Sequence, residues 1–370
     1  MKTAVVQNIF NIDFRLLSVT ILSIAFIMLS KSVTAQNHRS QPIKFEASNV
    51  KELQQELDLL EQETKFWGVV LITDGDQILL EEAFGLADRD KDIASTPQTA
   101  FNLASVGKLF TATTILKLAQ NGTVSLDEPI GKWIDGLPNN YGQKVTIRHL
   151  LQMKSGWGDY MSESAYQNNP KDFRTVSDYV KLIRSIKPKV EPDTKMIYSN
   201  INYELLGAII EVASGLSYEE AVNKNIWEPV DMISTGCFIH EPADSRATPY
   251  TKNSNGELVP AYDRMAYRCS PAGGAYSTVE DLYRYQRAVI DGKLLDERHT
   301  ALLMNQFEED QKNATRFGFA GGIEGANTWL RTNLKTDNTI IVLSNLDPPA
   351  AEHVLIGLKE WIQVTHEKSK

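Results

Sequence analysis

Strand-like patterns occupy the two ends of this chain and helical periodicity fills the space between them, a layout that limits the fold more than any other feature. Toward the N-terminal end, the apolar runs Phe66 to Thr73 and Gln77 to Phe84 flank Asp74-Gly75-Asp76, a turn signal, and read as a hairpin. Toward the C-terminal end, Asn327 to Thr332 and Thr339 to Asn345 read as a second strand pair around Asn333 to Asn338. A helix over Glu352 to Val364 follows. Apolar residues recur at helical spacing over 105–121, 146–153, 175–186, 201–214, 218–226 and 278–291, with Gly122 and Gly215 where C-caps are expected. Val50, Leu53, Leu57 and Leu60 mark an amphipathic helix from Val50 to Glu63. The economical arrangement is one sheet assembled from both chain ends, with a helical region inserted between them.

Composition leaves room for a substantial core: 370 residues, 42% hydrophobic and 23% charged. A formal net charge of -9 argues against broad nucleic-acid binding, which needs basic surface to displace counterions from phosphate. At the start of the chain, Lys2 and Arg15 precede the apolar run Leu16 to Leu29, and Val33-Thr34-Ala35 follows. This is the plan of a secretory signal peptide over residues 1–35, with cleavage after Ala35 and a periplasmic or secreted product. The alternative, an uncleaved anchor, meets a run shorter than the roughly 20 apolar residues that span a bilayer. Residues 36–46 read as a flexible lead-in, and no stable membrane span is expected in the mature chain. Cys237 and Cys269 permit one disulfide or two thiols, and the sequence leaves both open. The six histidines are scattered, with no CxxC or HExxH pattern, so no metal and no cofactor is expected.

The chemistry begins at Ala104-Ser105-Val106-Gly107-Lys108. Three residues apart at a helix start, Ser105 and Lys108 share one face. A serine hydroxyl is a poor nucleophile until a base takes its proton, and a lysine serves as that base where burial disfavours its ammonium form. The motif is short, and Ser48 and Lys51 repeat it where a helix cap is the simpler reading. A phosphate-binding loop does not fit, because Asn102 replaces its first glycine and Leu109 its Ser/Thr. No Gly-x-Ser-x-Gly elbow occurs, which disfavours the usual α/β-hydrolase. Downstream, Tyr198-Ser199-Asn200 enters a helix. Its phenol can relay a proton and its amide can hold a carbonyl or the lysine. A half-buried structural tyrosine is the plainer alternative.

In order, Phe101 to Lys108, His149-Leu150-Leu151 with Ser155-Gly156, Glu191-Pro192 before Tyr198-Ser199-Asn200, Gly207 to Glu211, and Gly273 to Thr278 resemble the β-lactamase-related serine hydrolases. That family includes class C β-lactamases, D-alanyl-D-alanine carboxypeptidases and esterases. The resemblance covers about residues 50–365. It implies the α/β (α+β) class: an antiparallel sheet flanked by helices, built from both chain ends, with an inserted helical domain. The implied catalytic domain is 47–365, with a sheet subdomain at 47–120 and 272–365 and a helical one at 121–271.

Carried over by position, Ser105 is the acylated nucleophile, Lys108 its base or relay, and Tyr198 the group that assists proton transfer and activates the deacylating water. Asn200 orients substrate and lysine. The third box matches Phe319-Ala320-Gly321-Gly322, which makes Phe319, Gly321 and Gly322 substrate-binding and gives the oxyanion the N–H groups of Ser105 and Gly322. Two departures stand out. Phe319 replaces the usual cation, and Asn305 to Phe317 is short and polar where the family supplies a strand. Arg316 or Arg331 is a candidate replacement cation. His149 reads as structural, the acidic run at Asp310 as a solvated loop, and Trp157 and Tyr160 as possible pocket walls. The expected activity is hydrolysis of an ester or amide, in a small-molecule or peptide substrate, through an acyl-enzyme on Ser105. The alternatives are a β-lactamase or carboxypeptidase, and a non-catalytic wall- or peptide-binding protein.

Overall fold

The computed structural model describes residues 43–307 and 314–368. The expected signal peptide at 1–35, most of the lead-in and the acidic run Glu308-Glu309-Asp310 lie outside the described residues. Helix α1 (Val50–Gln62) starts at Asn49, whose side chain accepts from the Glu52 N–H. It buries Leu53 and Leu57. Strands β1 (Gly68–Asp74) and β2 (Gln77–Phe84) form the hairpin, with β1 beginning two residues later than its apolar run suggests.

Helix α2 (Lys108–Gln120) continues a 3-10 turn, Ala104–Gly107. Helices α3 (Val176–Ile183), α4 (Asn200–Ser214) and α5 (Val279–Ile290) follow. Gly215 closes α4 in the left-handed conformation that a C-cap requires, at φ 70°. Strands β3 (Arg316–Ile323), β4 (Ala326–Asn333) and β5 (Asn338–Ser344) precede the terminal helix α6 (Ala350–Lys368). Helix α6 is longer at both ends than the apolar spacing marks.

The sheet has five antiparallel strands in the order β2-β1-β5-β4-β3. The two chain ends meet at its centre, where Val70 pairs with Val342 and Leu71 with Ile341. Both strands are apolar on both faces because both faces are covered. Val70, Ile72, Ile340 and Val342 pack under α1 and α6, beside Leu57, Val354, Leu358 and Trp361. Val69, Leu71, Ile341 and Leu343 face the larger core, with Phe110, Ile115, Leu206 and Ile209 of the helical middle. Burying a side chain of this kind contributes about 1.5–3 kcal/mol, so the central strands are the hardest part of the sheet to remove. The chain is therefore a mixed α/β protein: helices on both faces of an antiparallel sheet assembled from its two ends. Cys237 and Cys269 are joined as a disulfide. Among the described residues, no helix is long and apolar enough to cross a membrane.

Candidate active site

Ser105 is held by backbone pairing from a distant part of the chain. Phe101 and Asn102 form a short strand with Tyr276 and Ser277, the Leu103 N–H donates to the Ala275 carbonyl at 2.7 Å, and the Gly274 N–H donates to the Ala104 carbonyl at 3.1 Å. Ala104 sits at φ 44°, an unusual conformation for a residue with a side chain, and its N–H is tied to Asn102 Oδ1 at 2.8 Å. Gly273, at φ 142°, packs so tightly here that a Cβ would lie 2.2 Å from the Ala104 carbonyl oxygen. The chain then turns into α2, which places Ser105 at the mouth and Lys108 beneath it.

Lys108 is completely buried. Its Nζ donates to Ser105 Oγ at 3.0 Å, Asn200 Oδ1 at 2.6 Å and the Ala272 carbonyl at 2.5 Å. Three acceptors match the three protons of an ammonium group, which is what makes so deep a burial tolerable. The Tyr198 hydroxyl donates to Ser105 Oγ at 2.8 Å, and Lys108 Nζ lies 5.2 Å from the Tyr198 ring centre. Ser105, Lys108, Tyr198 and Asn200, spread over 96 positions of sequence, thus form one connected group. Ser105 and Tyr198 are only half-buried and remain open to an incoming molecule.

Two carboxyl groups lie beyond the lysine. Asp159 receives both the backbone N–H and the side-chain Nδ2 of Asn200 on Oδ2, at 3.0 and 2.9 Å, and the Met161 N–H on Oδ1 at 3.0 Å. Burial raises its pKa, and the N–H groups of Met161 and Asn200 and the charge of Lys108 oppose that rise. Glu204 is fully buried on α4. Its Oε1 accepts from Tyr160 at 3.1 Å and Ser270 at 2.6 Å, while its Oε2 has no hydrogen-bond partner. Burial pushes its pKa up to about 8, against the pull of Ser270, Tyr160 and Lys108. The sequence pointed to neither group. Asp159 does stand three residues beyond Gly156 and one before Tyr160, between aromatics that draw the eye first.

Phe319-Ala320-Gly321-Gly322 lies on β3. Thr328 of β4 is opposite Gly321 and donates to the Asn102 carbonyl at 3.2 Å, so this face of β3 and β4 meets the nucleophile turn. A Cβ on Gly321 would lie 2.3 Å from the Leu103 carbonyl oxygen and 2.9 Å from Ser105 N. Only glycine permits that approach. Phe319, two residues earlier on the same face, pairs opposite Leu330 and packs partly into the main core.

Four expectations take definite form here. Arg316 and Arg331 do not supply the missing cation: strand alternation puts them on the opposite face, beside Trp329, where their charges reach Lys359 of α6. Trp157 lines no pocket, because it is wholly buried against Tyr141 with its Nε1 donating to the Ile186 carbonyl. Tyr160 is likewise buried, among Tyr166 and Tyr179. His149 is structural, its Nδ1 accepting the Thr146 N–H in a capping box.

Among known proteins, the chain is 27% identical over 346 residues to penicillin-binding protein 4* of Bacillus subtilis (strain 168), covering 83% of this chain and 76% of that protein. It is also 27% identical over 310 residues to protein flp of Staphylococcus aureus (strain N315), where the match spans 77% of this chain and 61% of the relative. The crystal structure of a penicillin-binding protein from Bacillus halodurans superposes with a TM-score of 0.75 at 27% identity, covering 82% of this chain and 98% of that one. The family model for Beta-lactamase matches residues 53–360, which includes every residue of the site. The chain belongs to the Beta-lactamase family.

Proposed function

We propose that this protein is an exported serine hydrolase that cleaves an ester or amide through an acyl-enzyme on Ser105. The observation that carries the reading is that Ser105 Oγ is bonded by both Lys108 and Tyr198. The step requires Lys108 to shed one of the three protons its contacts accommodate; the Ser105 proton then passes along the 3.0 Å contact to Nζ as Oγ attacks the substrate carbonyl. The carbonyl oxygen becomes an oxyanion beside the N–H groups of Ser105 and Gly322, where each aimed donor contributes about 3–4 kcal/mol to the transition state. Tyr198 returns a proton to the leaving group. Its phenolate then takes a proton from the water that attacks the acyl-enzyme, and the Lys108 ammonium returns its proton to Ser105 Oγ as the ester bond breaks.

Phe319 supports a preference for small neutral esters or amides over anionic β-lactams or peptides with a free carboxylate. A phenyl ring offers apolar contact and no charge-assisted bond. The Cys237–Cys269 disulfide supports export, since such bonds persist in oxidising compartments. A fluorophosphonate probe, followed by peptide mapping, tests the reading: one adduct on Ser105, absent in Ser105→Ala, is expected. A protein that stays unlabelled at Ser105 while binding wall peptides would instead be the non-catalytic binder.

A further inference from the structure

Asn200 can turn either its oxygen or its NH2 group toward Lys108, and only the oxygen is useful there. Lys108 Nζ, a donor, favours the oxygen at 2.6 Å, and Asp159 enforces the same choice from the other side. Its Oδ2 accepts the Asn200 Nδ2 at 2.9 Å, and an ionised carboxylate cannot donate, so the NH2 group must face Asp159 and Oδ1 must face Nζ. The same oxygen accepts the Asn200 backbone N–H, which fixes the first residue of α4 against the loop that carries Asp159. A carboxylate at a helix N-terminus also lies in favourable potential. We infer that Asp159 is a positioning residue for the acylation of Ser105: it locks the Asn200 amide so that its oxygen holds Lys108 in line with Ser105 Oγ. This inference rests on the hydrolase reading above, because it assigns Asp159 a part in that reaction.

The three donors around Asp159 make the inference sharp. Two occupy Oδ2 and one occupies Oδ1, so both oxygens must accept. Asparagine at 159 offers one acceptor and one NH2 group. In one orientation its NH2 opposes the Met161 N–H. In the other it opposes both donors of Asn200, and the Asn200 amide is released to turn. Either way the alignment of Lys108 is loosened without any change to Ser105, Lys108 or Tyr198.

The test is a double-mutant cycle on the rate of fluorophosphonate labelling at Ser105, with melting temperature followed for every variant. Asp159→Asn and Asn200→Ala should each slow labelling about ten- to a hundredfold, and the double variant should be no slower than Asn200→Ala alone. Effects that multiply in the double variant, or an Asp159→Asn protein that labels at the wild-type rate, overturn the inference. If Asp159→Asn does not fold, Asp159→Ser, which keeps one acceptor and adds no bulk, takes its place in the cycle. A second readout does not depend on activity. In isotope-labelled protein, the Asn200 side-chain amide protons, assigned by their loss in Asn200→Ala, should be protected from solvent exchange and should lose that protection in the Asp159 variant. Unchanged protection overturns the inference even in a protein that labels. Absence of labelling in wild type would sink the hydrolase reading itself, while the amide protons would still report on the lock.

Discussion

Glu204 makes stability depend on pH in a direction opposite to most carboxylates. Its ordinary pKa of 4.5 rises to about 8 in the folded protein, because burial penalises the charged form. Below pH 4.5 the group is protonated in both folded and unfolded chains, so it contributes no difference. Between pH 4.5 and 8 the unfolded chain has lost the proton while the folded one keeps it, and stability falls as pH rises. Each pH unit in that window costs about 1.4 kcal/mol, which amounts to about 3 kcal/mol by pH 7 and levels off at about 4 kcal/mol around pH 8, where the folded group itself ionises. Glu204→Gln removes the titration and keeps the shape. Its carbonyl can still accept from Tyr160 and Ser270, and its NH2 replaces an oxygen that has no partner. Denaturant unfolding of both proteins at pH 5, 6, 7 and 8 is the assay. The variant should gain on wild type by about 1 kcal/mol or less at pH 5 and by several kcal/mol at pH 8. Parallel curves across the range would refute the reasoning, since they would mean that Glu204 ionises in the fold as readily as in water.

Other outcomes follow from the same structure. Phe319→Lys should shift the ratio of kcat/KM for a cephalosporin over that for a neutral aryl ester by about ten- to a hundredfold toward the anionic substrate, and an unchanged ratio would mean that position 319 does not touch the substrate. Gly321→Ala should lower stability by about 1–3 kcal/mol and slow labelling of Ser105, because the added methyl meets the Leu103 carbonyl oxygen and Ser105 N; unchanged melting and labelling would contradict that packing. Replacing Cys237 and Cys269 by serine opens a loop with a separation of 32 residues and should cost about 3–4 kcal/mol in denaturant unfolding, against no cost if the crosslink does not form.

The fold was legible where periodicity is strong. β1 and β5 show as apolar runs because both faces are buried, and α4 shows through its repeating Leu and Ile residues. Elements that bury polar residues left weaker marks. Helix Glu297–Met304 buries His299 and Thr300 beside Leu302 and Leu303, so no apolar period singles it out. Within the site, Ser105, Lys108, Tyr198 and Asn200 stand out in the sequence because each sits in a short box whose spacing has a chemical reason, and the fold joins them by hydrogen bonds. Asp159, Glu204 and the Ala272 carbonyl were not legible, because each acts through burial and direction that only tertiary contact creates. A carboxylate in a stretch such as Trp157-Gly158-Asp159-Tyr160 looks solvated until the helix it caps is placed against it. The same limit explains Trp157 and Tyr160, whose rings are core and not wall. It explains Arg331 too, where a one-residue step along β4 decides which face of the sheet receives the charge.

The central claim is a covalent acyl-enzyme at Ser105, and rapid-quench mass measurement with a neutral aryl ester tests it most directly. Mixing enzyme with excess ester and quenching in acid within the first turnover traps whatever is covalent. The expected result is a burst of phenol equal to the enzyme concentration, with one acyl group mapped to the peptide containing Ser105. Ser105→Ala should show neither the burst nor the adduct, and Lys108→Ala should form the adduct far more slowly. Steady turnover of the ester with no adduct on Ser105, undiminished in Ser105→Ala, would contradict the claim.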